Sequence, residues 1–430
     1  MKLYLENFTK IKKANIELNG ITVIAGPNNT GKSTVGKALY CIFNSFYDLD
    51  KKLNNEKVKK IMNIIYKSLR TNLAVKNIDL RIIEKFSHEI SLEENLSKDE
   101  LKDKLKKIFD KLQDNEIEII TEEIMQVNSI TKESLNKAVL NRYFSSEFKS
   151  QINNVNKEND KTKLRLKIKN KILEISFEKN SVIDIKNDIN INTDAIYIDS
   201  PFVMDDINSY YGIKSPNNHR ISLIKKLREK KQDSVENIFD EIINKKQDSV
   251  ENIFDEILNN KKLKNVISKL SVVATGKFKD LDFDIGYQEK DYIKPIYVSN
   301  LSTGLKNFTI LQRLIENGYI VENGLLILDE PEIHLHPEWQ IIFAEILVVL
   351  HRDINLNILL NTHSPYFLNA LEVYSAKYKI EEKCKYYSSE LKDKNIIIND
   401  VTNSIDIIYK KLSTPFQTLE DLQYRVDEDD

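Results

Sequence analysis

Apolar and polar residues alternate at a period of two across residues 2–8 and 13–18, then run almost unbroken through Ile21-Thr22-Val23-Ile24-Ala25. This predicts three strands, with Asn19-Gly20 turning the chain between the second and third. The period then changes to that of a helix, because Val35, Leu39, Ile42, Phe43 and Phe46 fall on one face. Residues 48–140 keep a helical pattern on a heavily charged background, as in Leu101, Leu105, Ile108 and Leu112. Alternation resumes over residues 164–168, 172–177 and 182–185, and Ala195-Ile196-Tyr197-Ile198 reads as a buried strand. A second helical stretch covers residues 205–270, strands are expected over residues 271–298, and a helix over residues 302–317. The run Leu325-Leu326-Ile327-Leu328 has the continuous apolarity of a parallel strand covered on both faces. A helix over residues 338–350 and a strand over residues 357–360 continue the alternation. The fold class expected is α/β, with a mixed N-terminal sheet, a parallel core sheet and two helical insertions.

Inside the second insertion, KKQDSVENIFDEIIN at 230–244 recurs as KKQDSVENIFDEILN at 245–259. Stacked repeat folds need about three units to bury a continuous core, so two copies read as a local duplication that lengthens a surface helix. A fifteen-residue step turns the apolar face by about 60° around a helix. Ile238/Phe239 and Ile253/Phe254 therefore cannot pack identically, and one copy is expected to be more exposed.

Composition narrows the setting. Lys plus Arg number 64 against 66 for Asp plus Glu, a net charge of -2, so no global basic field advertises nucleic acid. Cys41 and Cys384 stand far apart, which removes a disulfide framework and a thiolate zinc site. No stretch approaches the ~18 apolar residues that cross a bilayer, so no membrane partner is expected and a cytoplasmic location fits.

The chemistry lies in four motifs. Gly26-Pro27-Asn28-Asn29-Thr30-Gly31-Lys32-Ser33-Thr34 follows an apolar strand and opens a helix. In such a loop the glycines let the backbone wrap phosphates, Lys32 reaches the β and γ phosphates of ATP, and Ser33 ligates Mg2+. Asn28 and Asn29 stand where a glycine is common, and asparagine tolerates left-handed backbone better than most residues. Asp329-Glu330 ends an apolar strand at the sheet's carboxyl edge, with Asp329 suited to hold magnesium and Glu330 to orient the attacking water. His334, His336, His351 and His363 invite a metal reading, but the spacing lacks a helical histidine pair. His363 follows its own strand and can aim an imidazole at the terminal phosphate.

Together with Leu301-Ser302-Thr303-Gly304, the segment 331–337 and Asn361-Thr362-His363-Ser364-Pro365, these motifs resemble the ABC-type ATPases. The similar branch is that of the SMC-, RecF- and OLD-like heads and the phage-defence ATPases of the Septu and retron-associated kind. The resemblance implies an ATPase head formed by residues 1–47, 141–204 and 271–384, with insertions at 48–140 and 205–270 and a C-terminal extension at 385–430. It implies a head-to-tail homodimer in which Ser302 and Gly304 contact the γ-phosphate held by the other subunit. It further implies that 332–337 crosses that interface and that Glu330, His363 and Lys32 carry catalysis. A magnesium-sensing glutamine is expected near the end of the first lobe. Gln151 is the candidate, a plain surface glutamine being the other reading.

Three functions compete. A phage-defence ATPase would control a separate effector protein, a nuclease or toxin. A DNA-repair head would carry a long heptad coiled coil or a Cys-x-x-Cys hook, and neither is present. A transporter subunit would lack insertions of this length. Lys225, Lys226, Arg228, Lys230 and Lys231, with Lys261, Lys262 and Lys264, form a basic cluster that is either a DNA contact or a solvated helix face.

Overall fold

The computed structural model describes residues 1–71, 80–93, 96–109, 112–156, 161–207, 218–231, 262–281 and 284–429. The tandem repeat falls outside them from residue 232 onward, as do Lys261 and the expectation for Ile238, Phe239, Ile253 and Phe254. Two compact units form, Met1–Asn44 with Arg142–Asp430, and Ser45–Asn141.

The larger unit opens with β1 (Lys2–Phe8), β2 (Ile11–Glu17), β3 (Ile21–Ala25) and α1 (Lys32–Phe46). The second unit follows as α2 (Leu49–Thr71), α3 (Leu80–Leu92), α4 (Lys98–Ile108) and α5 (Asp114–Asn128), and α6 (Lys132–Phe148) leads back. Then come β4 (Thr162–Ile168), β5 (Lys171–Glu178), β6 (Ser181–Asn187), β7 (Ala195–Ile198), α7 (His219–Arg228), α8 (Lys264–Leu270), β8 (Lys277–Asp280), β9 (Ile285–Gln288) and β10 (Ile296–Tyr297). The chain closes with α9 (Thr303–Glu316), β11 (Leu325–Asp329), α10 (Pro337–Ile354), β12 (Asn357–Thr362), α11 (Pro365–Lys377), β13 (Cys384–Lys392), β14 (Asn395–Asp400) and α12 (Asp406–Asp429).

Among the described residues, 11 strands make one sheet in the order β6-β5-β4-β1-β2-β14-β13-β3-β12-β11-β7. The first five are joined by antiparallel ladders, while β13-β3-β12-β11-β7 run parallel. This is the mixed sheet with a parallel core that the hydrophobic pattern predicts. β3, β11, β12 and β7 are buried almost throughout, which is why they read as apolar runs and not as alternation.

Two boundaries differ from expectation. Residues 385–400 do not form an extension, because β13 and β14 fill the middle of the sheet between β2 and β3. Their sequences, CKYYSSELK and NIIIND, lack a long apolar run; β13 buries Ser388 and Ser389, and Ser389 bonds the neighbouring phosphate loop. The flanks of the second insertion also belong to the larger unit. Leu223, Ile224 and Leu227 of α7, with Val266 and Leu270 of α8, lie in the same core cluster as β11 and α10. Over residues 271–298, where strands are expected throughout, only the short sheet β10-β9-β8 forms.

The second unit has its own core, which includes Ile61, Ile65, Phe86, Ile90, Leu101, Leu105, Ile120 and Ile124. Ser97 caps α4, its hydroxyl accepting from the Glu100 amide at 3.3 Å while Glu100 accepts from the Ser97 amide at 2.9 Å. Ile108 is 40% exposed because α4 ends there, and Phe109 takes the buried place on the departing chain. No helix among the described residues is long and apolar enough to cross a membrane.

Removing β13 and β14 would separate β2 from β3 and strip the phosphate-loop strand of one neighbour. A chain truncated after Lys383 is therefore expected to lose cooperative thermal unfolding by circular dichroism. One truncated after Leu412, beyond which the helix is exposed, is expected to keep it.

Candidate nucleotide site

β3 delivers the chain into a loop whose backbone turns on left-handed residues, Asn29 at φ 63 and Gly31 at φ 79. The second of the two asparagines thus takes the left-handed position. Lys10 donates to the Asn29 side-chain oxygen at 3.1 Å and steadies it. Gly26 is required for a different reason: a Cβ there would meet the Ser389 carbonyl oxygen at 2.3 Å. The Ser389 hydroxyl donates to the Thr30 carbonyl at 2.6 Å, so β13 braces the loop from behind. Pro27, Asn28 and Asn29 form the exposed crown, and Ser33 and Thr34 are partly exposed at the start of α1. The buried Lys32 ammonium donates to the Gly26 and Pro27 carbonyls at 3.0 and 2.9 Å. Burial lowers its pKa, against the fields of Glu330, Asp329 and Glu332.

The carboxylates reach this loop through strand register. Asp329 pairs across the ladder with Asn361, whose side-chain amide donates to Asp329 Oδ1 at 2.8 Å. The Tyr197 hydroxyl donates to Asp329 Oδ2 at 3.1 Å and lies 3.5 Å from the Ser33 carbonyl. Tyr197 thereby ties the residue suited to hold magnesium to the start of the phosphate-loop helix. Glu330 sits at φ 51, a left-handed conformation that swings its side chain off the strand line. Its amide still donates to the Asn361 carbonyl at 2.9 Å. His363 Nε2 lies 2.7 Å from Glu330 Oε1, but off the line of a hydrogen bond, so the nitrogen has no bonding partner. Burial and then the Lys32 charge hold the His363 pKa below its ordinary value, against the pull of Glu330 and Asp329, which favours the neutral ring.

The structure brings Gly26 to Thr34, Asp329, Glu330 and His363 together. Among the described residues, no hydrogen bond joins Ser302 or Gly304 to them. Ser302 is exposed and caps α9, its hydroxyl accepting from the Leu305 amide at 3.4 Å. Gly304 packs beneath the His334 carbonyl and the Trp339 ring. Gln151 is not brought to the cluster either, because its side chain is exposed beside the end of β1, six places from β11 in the sheet order. The histidines are scattered: His351 is buried with Nδ1 3.0 Å from the Leu356 carbonyl, His334 packs edge-on to Phe202, and His336 is exposed. Of the basic cluster, Lys226 is buried on Asp194 and over the Tyr319 ring, and Arg228 donates to the Ile207 carbonyl at 2.7 Å. Those two face the fold and not a nucleic acid.

Sequence reasoning missed the groups that hold the site. Glu332, expected on an interface loop, is buried, and one carboxylate oxygen accepts from the Thr362 hydroxyl (2.6 Å), the His363 amide (2.8 Å) and the Ser364 amide (3.3 Å). Ile333, His334 and His336 remain exposed on that loop. At the end of β7, the place beside Asp329 is taken by Asp199, 3.1 Å from His219 Nε2. His219 also meets Glu147 at 2.8 Å and stacks on Tyr197 at 4.5 Å. Burial works to lower the His219 pKa, but its bonds to Asp199 and Glu147 outweigh this and raise it.

The profile of the AAA ATPase domain matches residues 1–368. The chain is 24% identical over 410 residues to the "Retron Vc95 probable ATPase" of Vibrio cholerae serotype O1 biovar El Tor, covering 89% of this chain and 72% of the relative. Similar solved structures include the SMC head domain from Thermotoga maritima, at 10% identity and a TM-score of 0.40 over 93% of this chain and 98% of that one. An SMC head bound to the C-winged helix domain of ScpA gives 11% identity and a TM-score of 0.44 over 94% and 98%.

Deleting the buried Glu332 carboxylate orphans the Thr362 hydroxyl and the His363 amide, while the Ser364 amide keeps the Thr362 hydroxyl oxygen at 3.1 Å; each buried group left unpaired costs about 1–3 kcal/mol. Glu332→Ala is expected to lower the thermal midpoint and reduce ATP turnover by about tenfold through a displaced His363. Glu332→Gln, which keeps the accepting oxygen, is expected to retain most of both. Calorimetry and a phosphate-release assay on the two variants check this.

Proposed function

The chain belongs to the AAA ATPase domain family, and from that membership we propose an ATP-driven head-to-tail homodimer that controls a separate effector protein in defence against phage. The observation that carries the reading is that Ser302, in the motif Leu301-Ser302-Thr303-Gly304, is exposed and bonds only its own helix, while Lys32, Asp329, Glu330 and His363 converge. A signature segment without a bond to its own site supports a role on the nucleotide of a second copy.

The residues present fit a nucleotide with magnesium. The loop amides, the N-terminus of α1 and the Lys32 ammonium suit phosphate oxygens, and the Ser33 hydroxyl with the Asp329 carboxylate offers the hard oxygen donors magnesium prefers. Bound there, the ion would neutralise charge on the phosphates. Tyr197 and Asn361 fix Asp329 by occupying one lone pair on each oxygen. Glu330, displaced from the strand line and next to His363, is placed to orient a water towards the terminal phosphate. His363 keeps Nε2 available to donate to that phosphate or to Glu330, its ring held by the Glu332 clip on the backbone.

The likeness to a retron's probable ATPase supports an effector-controlling role. So does the resemblance of the motifs to phage-defence heads. The second unit and the stretch around the repeat are the parts left for partner recognition. DNA binding through the basic cluster is the weaker reading, since Lys226 and Arg228 are engaged within the fold.

Glu330→Gln is expected to bind ATP with magnesium, to lose at least about a hundredfold in turnover, and to accumulate as a dimer by light scattering. Ser302→Arg in that background is expected to bind ATP and stay monomeric. A Glu330→Gln protein that remains monomeric at saturating ATP, or a doubly substituted one that still dimerises, contradicts the shared site.

A further inference from the structure

β13 and α12 place a second cation beside the phosphate loop. Ser388 pairs in register with Ala25, the residue before Gly26. Lys411 of α12 donates to the Ser388 hydroxyl at 2.9 Å and to Glu390 Oε2 at 2.9 Å. A cavity of about 290 Å³ has Gly26, Pro27, His363, Ser388 and Lys411 in its otherwise apolar lining, so one space joins the start of the phosphate loop, His363 and this ammonium. The root of α12 is fixed in the core through Ile408, which is 1% exposed. One turn later the helix is weakened. Pro415 lies within α12 and has no amide hydrogen to donate to the Lys411 carbonyl.

We propose that Lys411 is a second phosphate-binding cation of the nucleotide site, supplied by the C-terminal helix, and that it favours triphosphate over diphosphate. The wall formed by His363 and the Gly26-Pro27 turn puts the cavity at the terminal-phosphate end of the loop. Glu390 holds the ammonium at the cavity wall, and both members of the pair are partly exposed, at 32% and 39%. Exchanging that half-solvated carboxylate for phosphate oxygens replaces one charge-assisted contact with another. The exchange needs a terminal phosphate within reach, which ADP does not provide. The inference rests on the ATPase reading and adds to it a residue outside the four motifs, located beyond the span matched by the family profile.

The test uses the full chain with Mg2+ and measures dissociation constants for ADP and for a non-hydrolysable ATP analogue. Lys411→Met is expected to weaken the ATP analogue by about tenfold or more while leaving ADP within about twofold. Lys411→Arg, which keeps the charge, is expected to restore the analogue. Glu390→Gln, which releases the ammonium, is expected to tighten it. With ATP, Lys411→Met should raise KM more than it lowers kcat. Unchanged analogue affinity in Lys411→Met overturns the assignment and leaves the ATPase reading standing. An equal loss for ADP and the analogue also overturns it, because that pattern reports damage to the loop. A wild-type protein that binds neither nucleotide overturns both readings together.

Discussion

Five parallel strands held in one register are the constraint from which the rest of the site follows. Ala25 pairs with Thr362 on one side and with Ser388 on the other; Asn361 pairs with Asp329, and Ile198 with Leu328. The period of a strand fixes which face each side chain takes, so a slip of one residue in any ladder would turn Asp329 or Asn361 to the wrong side. Apolar burial on both faces holds this register. Leu326, Ile327, Leu328, Ile358, Leu359 and Leu360 are at most 1% exposed, and burying each such side chain contributes about 1.5–3 kcal/mol. The catalytic geometry is thus set by hydrocarbon several residues away from it.

At that edge the sheet stops burying hydrocarbon and starts burying charge, which is costly unless every group is paired. The pairing links the motifs. Glu332 ties the carboxylate strand's loop to the backbone of His363, Asn361 and Tyr197 restrain Asp329, and Ser389 restrains the phosphate loop. Among the described residues of this edge, Glu332 Oε2, His363 Nε2, Asn361 Oδ1, Asp199 Oδ1 and His219 Nε2 make no hydrogen bond within the chain.

Much of this was legible in the sequence. The phosphate loop, the carboxylate strand and the histidine strand all announce themselves as apolar runs ending in polar residues. The same grammar marks the part that was overlooked: Ile196-Tyr197-Ile198-Asp199-Ser200-Pro201 has the form of Leu326-Ile327-Leu328-Asp329-Glu330-Pro331. An apolar strand closed by Asp-x-Pro points to Asp199, not Gln151, as the residue beside Asp329. Residues 384–400 were missed for another reason. β13 spends its buried positions on Tyr386, Tyr387, Ser388 and Ser389, of which Ser389 bonds the phosphate loop, and so shows no long aliphatic run. Glu332 could not have been read correctly, because a carboxylate's burial depends on three donors from a strand some thirty residues downstream.

The strand order also bears on when the site can exist. β3 carries the phosphate loop and forms within the first turn of the chain, yet its neighbours in the sheet are β12 and β13, from the last fifth of the sequence. Gly26 needs Ser389 behind it, and Lys32 needs the strands that bring Asp329, Glu330 and His363. These long-range parallel pairings carry loop-closure entropy that must be met before any contact forms. The helical second unit, built from local contacts and a core of its own, does not share that delay. The phosphate loop near the start of the chain is therefore braced by strands from its far end, and the two ends of the chain, through β2 against β14 and β3 against β13, close the fold around it.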